Sequence, residues 1–335
     1  KSSLINTFHD FYMINGNTNL TDKNGNFAGI NSKSSDHLLN QYFKFEDNTK
    51  INLLIKKIIE KSSANIFPSN STLNLFEKAY GFIPNARVIP HENIKINSIK
   101  KIINKKIKIG LIGAISLEKG ACLAEGLAKL SKLDNYFKTK IKYLLIGYSC
   151  FPNGYLEKTG EYKNEDLINK IFENDLDGII FTARWPETFS YTLSTAIESE
   201  LPIIAPNIGA FPERLSNYPN KLIYSLEDDE KEITQKIINF IPLKNEKIVN
   251  THTLSDFYSD EYYQLSSFNN KKVNYYDLFK LLNSISQKEI NSPALSSLKK
   301  KIFFASKRIY NNKYLNPLFK KLTKKYINKI ANLLR

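Results

Sequence analysis

The chain has 335 residues, of which 42% are hydrophobic and 24% are charged, so it can bury a substantial core and is expected to hold two domains. Two cysteines, Cys122 and Cys150, are too few for a disulfide framework or a structural zinc site. No apolar run approaches the roughly 18 residues that span a bilayer, and the first residues do not have the pattern of a signal peptide. A reducing cytoplasm is the expected compartment.

The net charge of +15 is unevenly placed, because every charged residue after Glu289 is a lysine or an arginine. The basic balance therefore belongs largely to a C-terminal extension and not to the fold that precedes it.

The first part of the chain is predicted to alternate between strands and helices. Residues 1–60 are the least regular and are rich in Asn, Gly and Asp, which favours loops. Alternation of this kind is the pattern of a parallel sheet. The predicted elements are a helix over 51–61, a strand over 64–69, a helix over 70–81 that Ser69 can cap, and a strand over 86–91.

A polar, lysine-rich connector over residues 91–106 marks the expected domain boundary. The pattern beyond it predicts a doubly wound parallel α/β unit, whose ligands bind at the carboxyl ends of the strands. Its predicted strands cover 106–113, 142–147, 178–181, 203–205 and 222–225, and its predicted helices cover 121–133, 164–175, about 189–200 and 228–241.

The stretch from Trp185 to Leu215 is where the chemistry is expected. Pro186 fits the turn that leads into a helix, because the first N–H groups of a helix have no partner there. Glu187 and Thr188 then stand at the start of the helix, where a carboxylate, hydroxyls and backbone N–H groups form a site for an anion or a polyol. The alternative is an N-cap followed by an ordinary buried helix. The IGAFPERL segment near the end is predicted as a loop.

A second candidate site lies in the segment IGLIGAISLEKG. Gly113 is predicted to end a strand and Gly120 to begin a helix, so the backbone can approach a phosphate closely. Lys119 adds a positive charge for a diphosphate. The segment has neither a P-loop nor a GxGxxG pattern, so an ordinary strand-to-helix turn is the alternative.

PETFSYTLSTAIESELPIIA, followed by IGAFPERL, resembles the C-terminal half of GT-B glycosyltransferases, and of glycosyltransferase family 4 in particular. The resemblance implies a GT-B fold of two Rossmann-like domains. It implies that Glu187 binds hydroxyls of the donor sugar and that the backbone at Thr188, Phe189 and Ser190 contacts sugar and phosphate. A second family Glu, eight residues on, falls on Thr195, which cannot accept two hydrogen bonds from a ribose as a carboxylate can. This departure concerns donor affinity more than fold.

The same resemblance assigns roles at the strand end before the helix at 121–133. Lys119 is implied to lie against the donor diphosphate, with Gly113 and Ala114 close to the donor. Tyr162 is implied to stack on the nucleobase, although it is one of 19 tyrosines and an ordinary loop residue is the alternative.

HDFYMINGNTNLTDKNGNFAG resembles the middle of the N-terminal domain in family 4 enzymes of surface-polysaccharide synthesis. There, His-Asp follows a core strand and faces the cleft between domains, so His9 corresponds to the His that touches the donor sugar. The alternative is a structural His. About half of that domain is then missing, and a chain that opens at Lys1 is expected to be a fragment. The predicted domains are 1–98 (acceptor side), 99–268 (donor-binding) and 269–335 (a basic helical extension).

No metal and no cofactor are expected. Asp175-Leu176-Asp177 spells a DxD, which binds a metal–diphosphate in other glycosyltransferases, but it precedes a strand and is interpreted as a turn. No His, Cys and Asp cluster has metal-ligand spacing. Lys119, loop amides and two helix N-termini are expected to hold the diphosphate of a nucleotide sugar.

The extension at 269–335 is predicted to end in a basic amphipathic helix, which favours an anionic membrane surface on the cytoplasmic side. Packing of its apolar face on the rest of the chain is the alternative, and RNA binding is a third that no nucleic-acid motif supports. The residues predicted to share the apolar face are Leu318, Leu322, Tyr326, Ile330 and Leu333.

The resemblance to glycosyltransferase family 4 implies a retaining, metal-independent glycosyltransferase. It would move a sugar from a nucleotide-sugar donor to a glycan or a lipid-linked acceptor in surface-polysaccharide synthesis. Two alternatives stay open. One is a non-catalytic glycosyltransferase-like binding domain, and the other is a basic module that binds a membrane or RNA.

Overall fold

Two all-parallel β-sheets flanked by helices form the described part of the chain. The structure, a computed structural model, describes residues 4–31, 48–91 and 106–241. All of these residues belong to one compact unit. The architecture confirms the predicted α/β class with parallel sheets.

The smaller sheet has three strands in the order β1-β2-β3. All four residues of β2 are buried, as expected for a central strand of a parallel sheet. Ser69 caps the helix that follows, because its side chain accepts a hydrogen bond from the Thr72 N–H, as predicted. The elements are β1 (Ile5–Thr7), α1 (Tyr12–Asn15), α2 (Asn48–Lys61), β2 (Ala64–Phe67), α3 (Asn70–Tyr80) and β3 (Ala86–Val88).

The larger sheet has six parallel strands in the order β6-β5-β4-β7-β8-β9. Numbered from its own first strand, this is the 3-2-1-4-5-6 order of the Rossmann fold. The elements are β4 (Ile107–Ile115), α4 (Ala121–Leu133), α5 (Asn135–Lys138), β5 (Ile141–Ser149), β6 (Glu157–Lys158), a short 3-10 turn (Asn164–Asp166), α6 (Leu167–Glu173), β7 (Gly178–Ile180), α7 (Tyr191–Glu198), β8 (Ile203–Pro206), α8 (Ala210–Arg214), β9 (Lys221–Tyr224) and α9 (Glu230–Phe240).

Apolar side chains bury both faces of the larger sheet. One core joins β4 and β5 to α4, α5 and α9, and it includes Leu127 and Ile237. The other joins the opposite face to α6, α7 and α8, and it includes Leu193 and Phe211. Helices on both faces explain why the strands are nearly continuous runs of apolar residues. The order of strands reverses between β4 and β7, so the crevice at their carboxyl ends is the ligand position of such a sheet.

The predicted boundaries at Gly113 and at the two ends of α7 were wrong. Gly113 does not end its strand, because pairing of β4 with β5 continues as far as Ile115 and Ser149. The helix predicted from Phe189 begins only at Tyr191, since Ser190 has φ +67° and interrupts the helical backbone. It ends at Glu198, before Glu200 at φ +57°.

Another difference concerns IGAFPERL, where a short helix, α8, replaces the predicted loop. Gly209 begins it with φ +62°, and Pro212 is tolerated because it lies in the first turn.

Several predictions remain predictions. The basic extension at 269–335, with the apolar face from Leu318 to Leu333, lies outside the described residues. The division into domains at residues 98 and 268 also stays a prediction. Among the described residues, no helix is both long enough and apolar enough to cross a membrane.

Candidate functional site

The loops that follow β4 and β7 are joined to each other at the crevice. The Thr182 hydroxyl donates a hydrogen bond to the Lys119 carbonyl at 2.8 Å, and the Arg184 N–H donates to the Glu118 carbonyl at 2.8 Å. Gly120 has φ +80°, and a Cβ placed on it would lie 1.8 Å from the Thr182 carbonyl oxygen. Only glycine therefore allows this approach, which brings the Lys119 loop to the loop that carries Glu187.

Glu187 is the buried carboxylate of the site, with 9% of its surface exposed. Burial raises the pKa of its carboxyl, while the charge of Lys119, a hydrogen bond from Ser190 and the charge of Arg214 act in the opposite direction. The charge of Lys119 thus acts on the Glu187 carboxyl, and the loops that carry the two residues are joined by hydrogen bonds. A buried carboxylate beside a lysine has acceptor oxygens for sugar hydroxyls and a cation for phosphate close by.

Arg214 holds the backbone that leads into α7. One of its guanidinium nitrogens donates to the carbonyls of Phe189 and Ser190 at 2.8 and 2.7 Å, and the other donates to the Ser194 hydroxyl at 2.7 Å. The guanidinium carbon also lies 3.7 Å from the centre of the Phe189 ring. These contacts keep Ser190 at its positive φ and fix the segment between Glu187 and α7.

Gly209 supports Glu187 from behind. A Cβ on Gly209 would lie 2.6 Å from both the Glu187 nitrogen and the Pro186 carbonyl carbon. The Ala210 N–H donates to the Glu187 carbonyl at 2.9 Å. The IGAFPERL segment therefore positions the Glu187 backbone from a neighbouring strand end.

The predicted donor residues on β4 lie opposite the first turns of α7. Gly113 has φ +105°, and a Cβ on it would lie 3.4 Å from Thr192 Cγ2 and 3.9 Å from the Tyr162 hydroxyl. Burial raises the pKa of the half-buried Tyr162 hydroxyl, and the neighbouring Tyr148 adds a smaller effect in the same direction. Half-buried Ala114 pairs with Tyr148 in the sheet.

Thr195 lies three residues after Thr192 and is half-buried. The two threonines therefore lie on one side of α7. The structure thus places Gly113 and Tyr162 near the first turn of α7, and Thr195 lies about one turn further along the helix.

His9 reaches the same loop from the smaller sheet. The Thr188 hydroxyl donates to the His9 carbonyl at 2.9 Å, and the Thr72 hydroxyl donates to the Thr188 carbonyl at 3.5 Å. His9 follows β1, as the resemblance implied, and its side chain is exposed. His9 and Glu187 therefore lie on two sides of one loop.

The turn around Gly25 packs against the loop that carries Lys119. Gly25 has φ +82°, and a Cβ on it would lie 2.6 Å from the Glu118 nitrogen and from the Leu117 carbonyl carbon. Close by, the Phe27 N–H donates to the Arg184 carbonyl at 2.8 Å. The glycine, which lies in the turn region after α1, thus supports the Lys119 loop.

The DxD segment has a structural role. Asp177 is buried, and its carboxylate accepts a hydrogen bond from the Lys108 N–H at 2.8 Å. It lies at the amino end of β7, on the edge opposite Lys119 and Glu187. Within residues 4–31, 48–91 and 106–241, no group of three or more His, Cys, Asp and Glu side chains is arranged to hold a metal ion.

No protein-family model and no curated protein sequence matches the chain. Solved structures with a similar fold include Anabaena Alr3699/HepE in complex with UDP and glucose, which is 16% identical over 71% of this chain and 61% of its own, with a TM-score of 0.46. TarM of S. aureus is 17% identical over 60% of this chain and 42% of its own, with a TM-score of 0.45. The pneumococcal O-GlcNAc transferase GtfA, in complex with UDP and GlcNAc, is 14% identical over 58% of this chain and 40% of its own, with a TM-score of 0.41.

The chain thus spans about two fifths of the length of TarM and GtfA.

Sequence reasoning missed the residues that support the site. Arg214 and Glu213 were assigned no role beyond their place in the IGAFPERL segment, and Gly25 and His91 were assigned to a loop and a strand end. The signal for Gly25 was present in the turn sequence DKNGN, since Asn-Gly favours positive φ. The partners of Arg214 were not foreseeable, because they lie on α7 and the loop before it.

Proposed function

We propose that this chain carries the donor-binding site of a glycosyltransferase that takes its sugar from a nucleotide-sugar. The observation that carries the proposal is that the loop with Lys119 and the loop with Glu187 are joined at the point where strand order reverses in a sheet of Rossmann order. A nucleotide-sugar has both a diphosphate and a polyol, and this pair has one group suited to each.

The diphosphate is assigned to the Lys119 side. Lys119 adds a positive charge, and it stands directly before Gly120 at the amino end of α4. The amino end of α7 begins nearby, after Ser190. Two helix N-termini and a lysine favour the negative charge that grows on the leaving nucleoside diphosphate as the glycosidic bond breaks. On this basis we propose transfer without a metal ion.

The sugar is assigned to Glu187 and His9. The Glu187 carboxylate accepts hydrogen bonds from hydroxyls, and the backbone from Thr188 to Ser190 runs from Glu187 to α7. His9 follows β1 of the smaller sheet, and Glu187 follows β7 of the larger sheet. The sugar therefore lies between one group from each sheet. Tyr162 and Gly113 border the space for the nucleoside, with Thr195 on the adjoining helix.

The rest of the proposal follows from the resemblance to glycosyltransferase family 4. It comprises retention of anomeric configuration, a glycan or lipid-linked acceptor, and a role in surface-polysaccharide synthesis in the cytoplasm. Peripheral membrane binding through the extension at 269–335 belongs to the same proposal.

One observation favours a non-catalytic binding domain as the second candidate. Thr195 stands where the family has its second Glu, and one hydroxyl replaces the two acceptor oxygens of a carboxylate. A donor held more weakly at its ribose could be bound without being turned over. Nucleotide-sugar binding without transfer or hydrolysis would select this candidate.

The experiment is a thermal-shift and calorimetry panel of UDP, GDP, dTDP and their common sugar conjugates. Selective binding that is lost in Lys119→Ala supports the diphosphate position, and sugar-dependent binding that is weakened in Glu187→Ala supports the donor pose. The matched controls are Lys138→Ala and Glu173→Ala, which remove exposed charges from helices that precede β5 and β7, at the opposite edge of the sheet. If no nucleotide binds, the glycosyltransferase proposal is wrong.

A further inference from the structure

His91 contacts the proposed sugar-binding histidine directly. Nδ1 of His9 and Nε2 of His91 are 3.3 Å apart, and the rings stack with centroids 4.8 Å apart and planes at 26°. His9 follows β1 and His91 follows β3, the two outer strands of the smaller sheet. Parallel strands bring their carboxyl ends to one edge, so both imidazoles reach the site from there.

His91 is itself held by the start of α7. Its ring stacks on Tyr191, with centroids 5.7 Å apart and planes at 12°, and it meets the edge of Phe189 at 5.0 Å. Phe189 and Tyr191 flank Ser190 in the segment that Arg214 fixes. His91 therefore links His9 to the Glu187 segment through aromatic contacts that limit its rotation.

The contact between the two rings leaves one nitrogen of His9 for a ligand. A hydrogen bond between two imidazole nitrogens needs one donor and one acceptor, so the bond to His91 occupies Nδ1 of His9. Burial, the neighbouring His9 and Arg214 lower the pKa of His91 to about 4, so His91 is neutral near pH 7. A neutral His91 accepts from His9 whenever His9 carries a proton on Nδ1, and Nε2 of His9 is then the nitrogen of His9 that can accept a hydrogen bond from a hydroxyl.

We infer that His91 is a positioning residue that occupies Nδ1 of His9 and orients Nε2 of His9 towards a hydroxyl of the donor sugar. This inference rests on the proposed function. It assigns no contact between His91 and the donor.

Two variants separate the hydrogen bond from the ring packing. His91→Phe keeps an aromatic ring against Tyr191 and Phe189 but removes the nitrogen. His91→Gln restores a polar group near the position of Nε2. The first test uses histidine labelled with ¹⁵N in the whole chain, which has four histidines, so the imidazole signals are assigned by substitution.

The spectra are read without any ligand. We expect the nitrogen shifts of His9 in the wild type to show one dominant tautomer with Nδ1 engaged. In His91→Phe they should move towards those of an exposed, tautomerically averaged imidazole, and His91→Gln should return them part of the way. Unchanged His9 signals in His91→Phe would overturn the inference.

The second test measures binding of UDP, GDP and dTDP against their sugar conjugates by calorimetry. His91→Phe should weaken binding of the sugar conjugate by about three- to ten-fold, which is the range of one oriented hydrogen bond. Binding of the nucleoside diphosphate should not change. In a His9→Ala background the same change should have no further effect, because His91 acts through His9. An equal loss in that background would overturn the inference.

The two proposals fail in different ways. If the wild type binds no nucleotide-sugar, the proposed function is wrong and the inference falls with it, whatever the spectra show. If the wild type binds one and His91→Phe binds it equally well, the inference alone is wrong.

Discussion

The Glu213 carboxylate closes the amino end of helix α3 through Asn70, which lies 143 residues earlier in the chain. Its Oε1 accepts from the Asn70 N–H at 2.9 Å and from the Asn70 side-chain amide at 2.7 Å, while Oε2 accepts from the Ser71 N–H at 3.1 Å. A carboxylate at a helix N-terminus satisfies free N–H groups and favours the helix dipole. Because Glu213 and Arg214 are adjacent, one short segment contacts both α3, beside the smaller sheet, and the backbone that leads into α7.

Glu213→Gln should destabilise the protein by about 1 kcal/mol, because an amide NH₂ then faces the Ser71 N–H and the charge is lost. Urea unfolding measures the change. Glu227→Gln, in an exposed turn, is the control and should be neutral within about 0.5 kcal/mol. Equal stability of the two variants would show that the cap does not contribute.

Gly25→Ala should displace the Lys119 loop and weaken nucleotide binding. The new Cβ would lie 2.6 Å from the backbone of Leu117 and Glu118, in addition to the strain of φ +82°. Gly29→Ala is a matched control, because Gly29 has φ +81° but nothing within 4 Å of its Cβ position. Backbone strain should lower the free energy of unfolding of both variants by about 1 kcal/mol. Only Gly25→Ala should lose more stability than this, and only Gly25→Ala should bind the nucleotide more weakly. The same affinity in both would mean that the turn does not support the loop.

Arg214→Lys should lower both stability and nucleotide-sugar affinity, although it keeps the charge. One ammonium cannot reproduce the two nitrogens that bond Phe189, Ser190 and Ser194, nor the stacking on the Phe189 ring. We expect a loss of about 2 kcal/mol in unfolding free energy. Arg87→Lys, at the exposed position of β3, is the comparison variant. A loss of stability no greater than that of Arg87→Lys would refute the role of the fork.

Glu187→Gln should stabilise the unliganded protein near neutral pH. Because burial raises the pKa of the Glu187 carboxyl, the folded state binds its proton more tightly than the unfolded state, whose value is near 4.5. The contribution of Glu187 to stability is therefore full below that pH and is lost as pH rises through the folded pKa. The difference between Glu187→Gln and wild type should grow from pH 4 to pH 7.5 in urea unfolding. A difference that is constant with pH would contradict this.

His91 should produce the opposite dependence of stability on pH, with its contribution lost as the pH falls. Since the folded pKa of His91 is lowered to about 4 from 6.5, its contribution to stability is present above pH 6.5 and is lost as pH falls towards 4. His91→Phe should lack this component, so the stability difference between wild type and variant should change over that interval only. Unfolding free energies at pH 7.5, 5.5 and 4.5 test it, and a pH-independent difference would show that His91 is not buried as a neutral ring.

Sequence patterns alone were enough to predict five of the six strands of the larger sheet, but not β6, α5 or α8. The alternation of apolar strands with amphipathic helices predicted β4, α4, β5 and β7 to within a few residues, because hydrophobic periodicity is local information. The resemblance also predicted a strand before His9, which is β1. Lys119 and Glu187 follow strands of one parallel sheet, and ligands were predicted at the carboxyl ends of those strands.

Only the tertiary structure decided how that edge is supported. Gly25 against Leu117, Glu213 against Asn70, and His91 against His9 each join residues more than 80 positions apart. Strand periodicity specifies which face a residue occupies but not which distant loop will meet it. These contacts depend on how two sheets approach each other, and that is settled by packing over many residues at once. The sequence by itself therefore predicted Glu187 and Lys119 as the residues of the candidate site, and the fold decided which residues hold their loops in place.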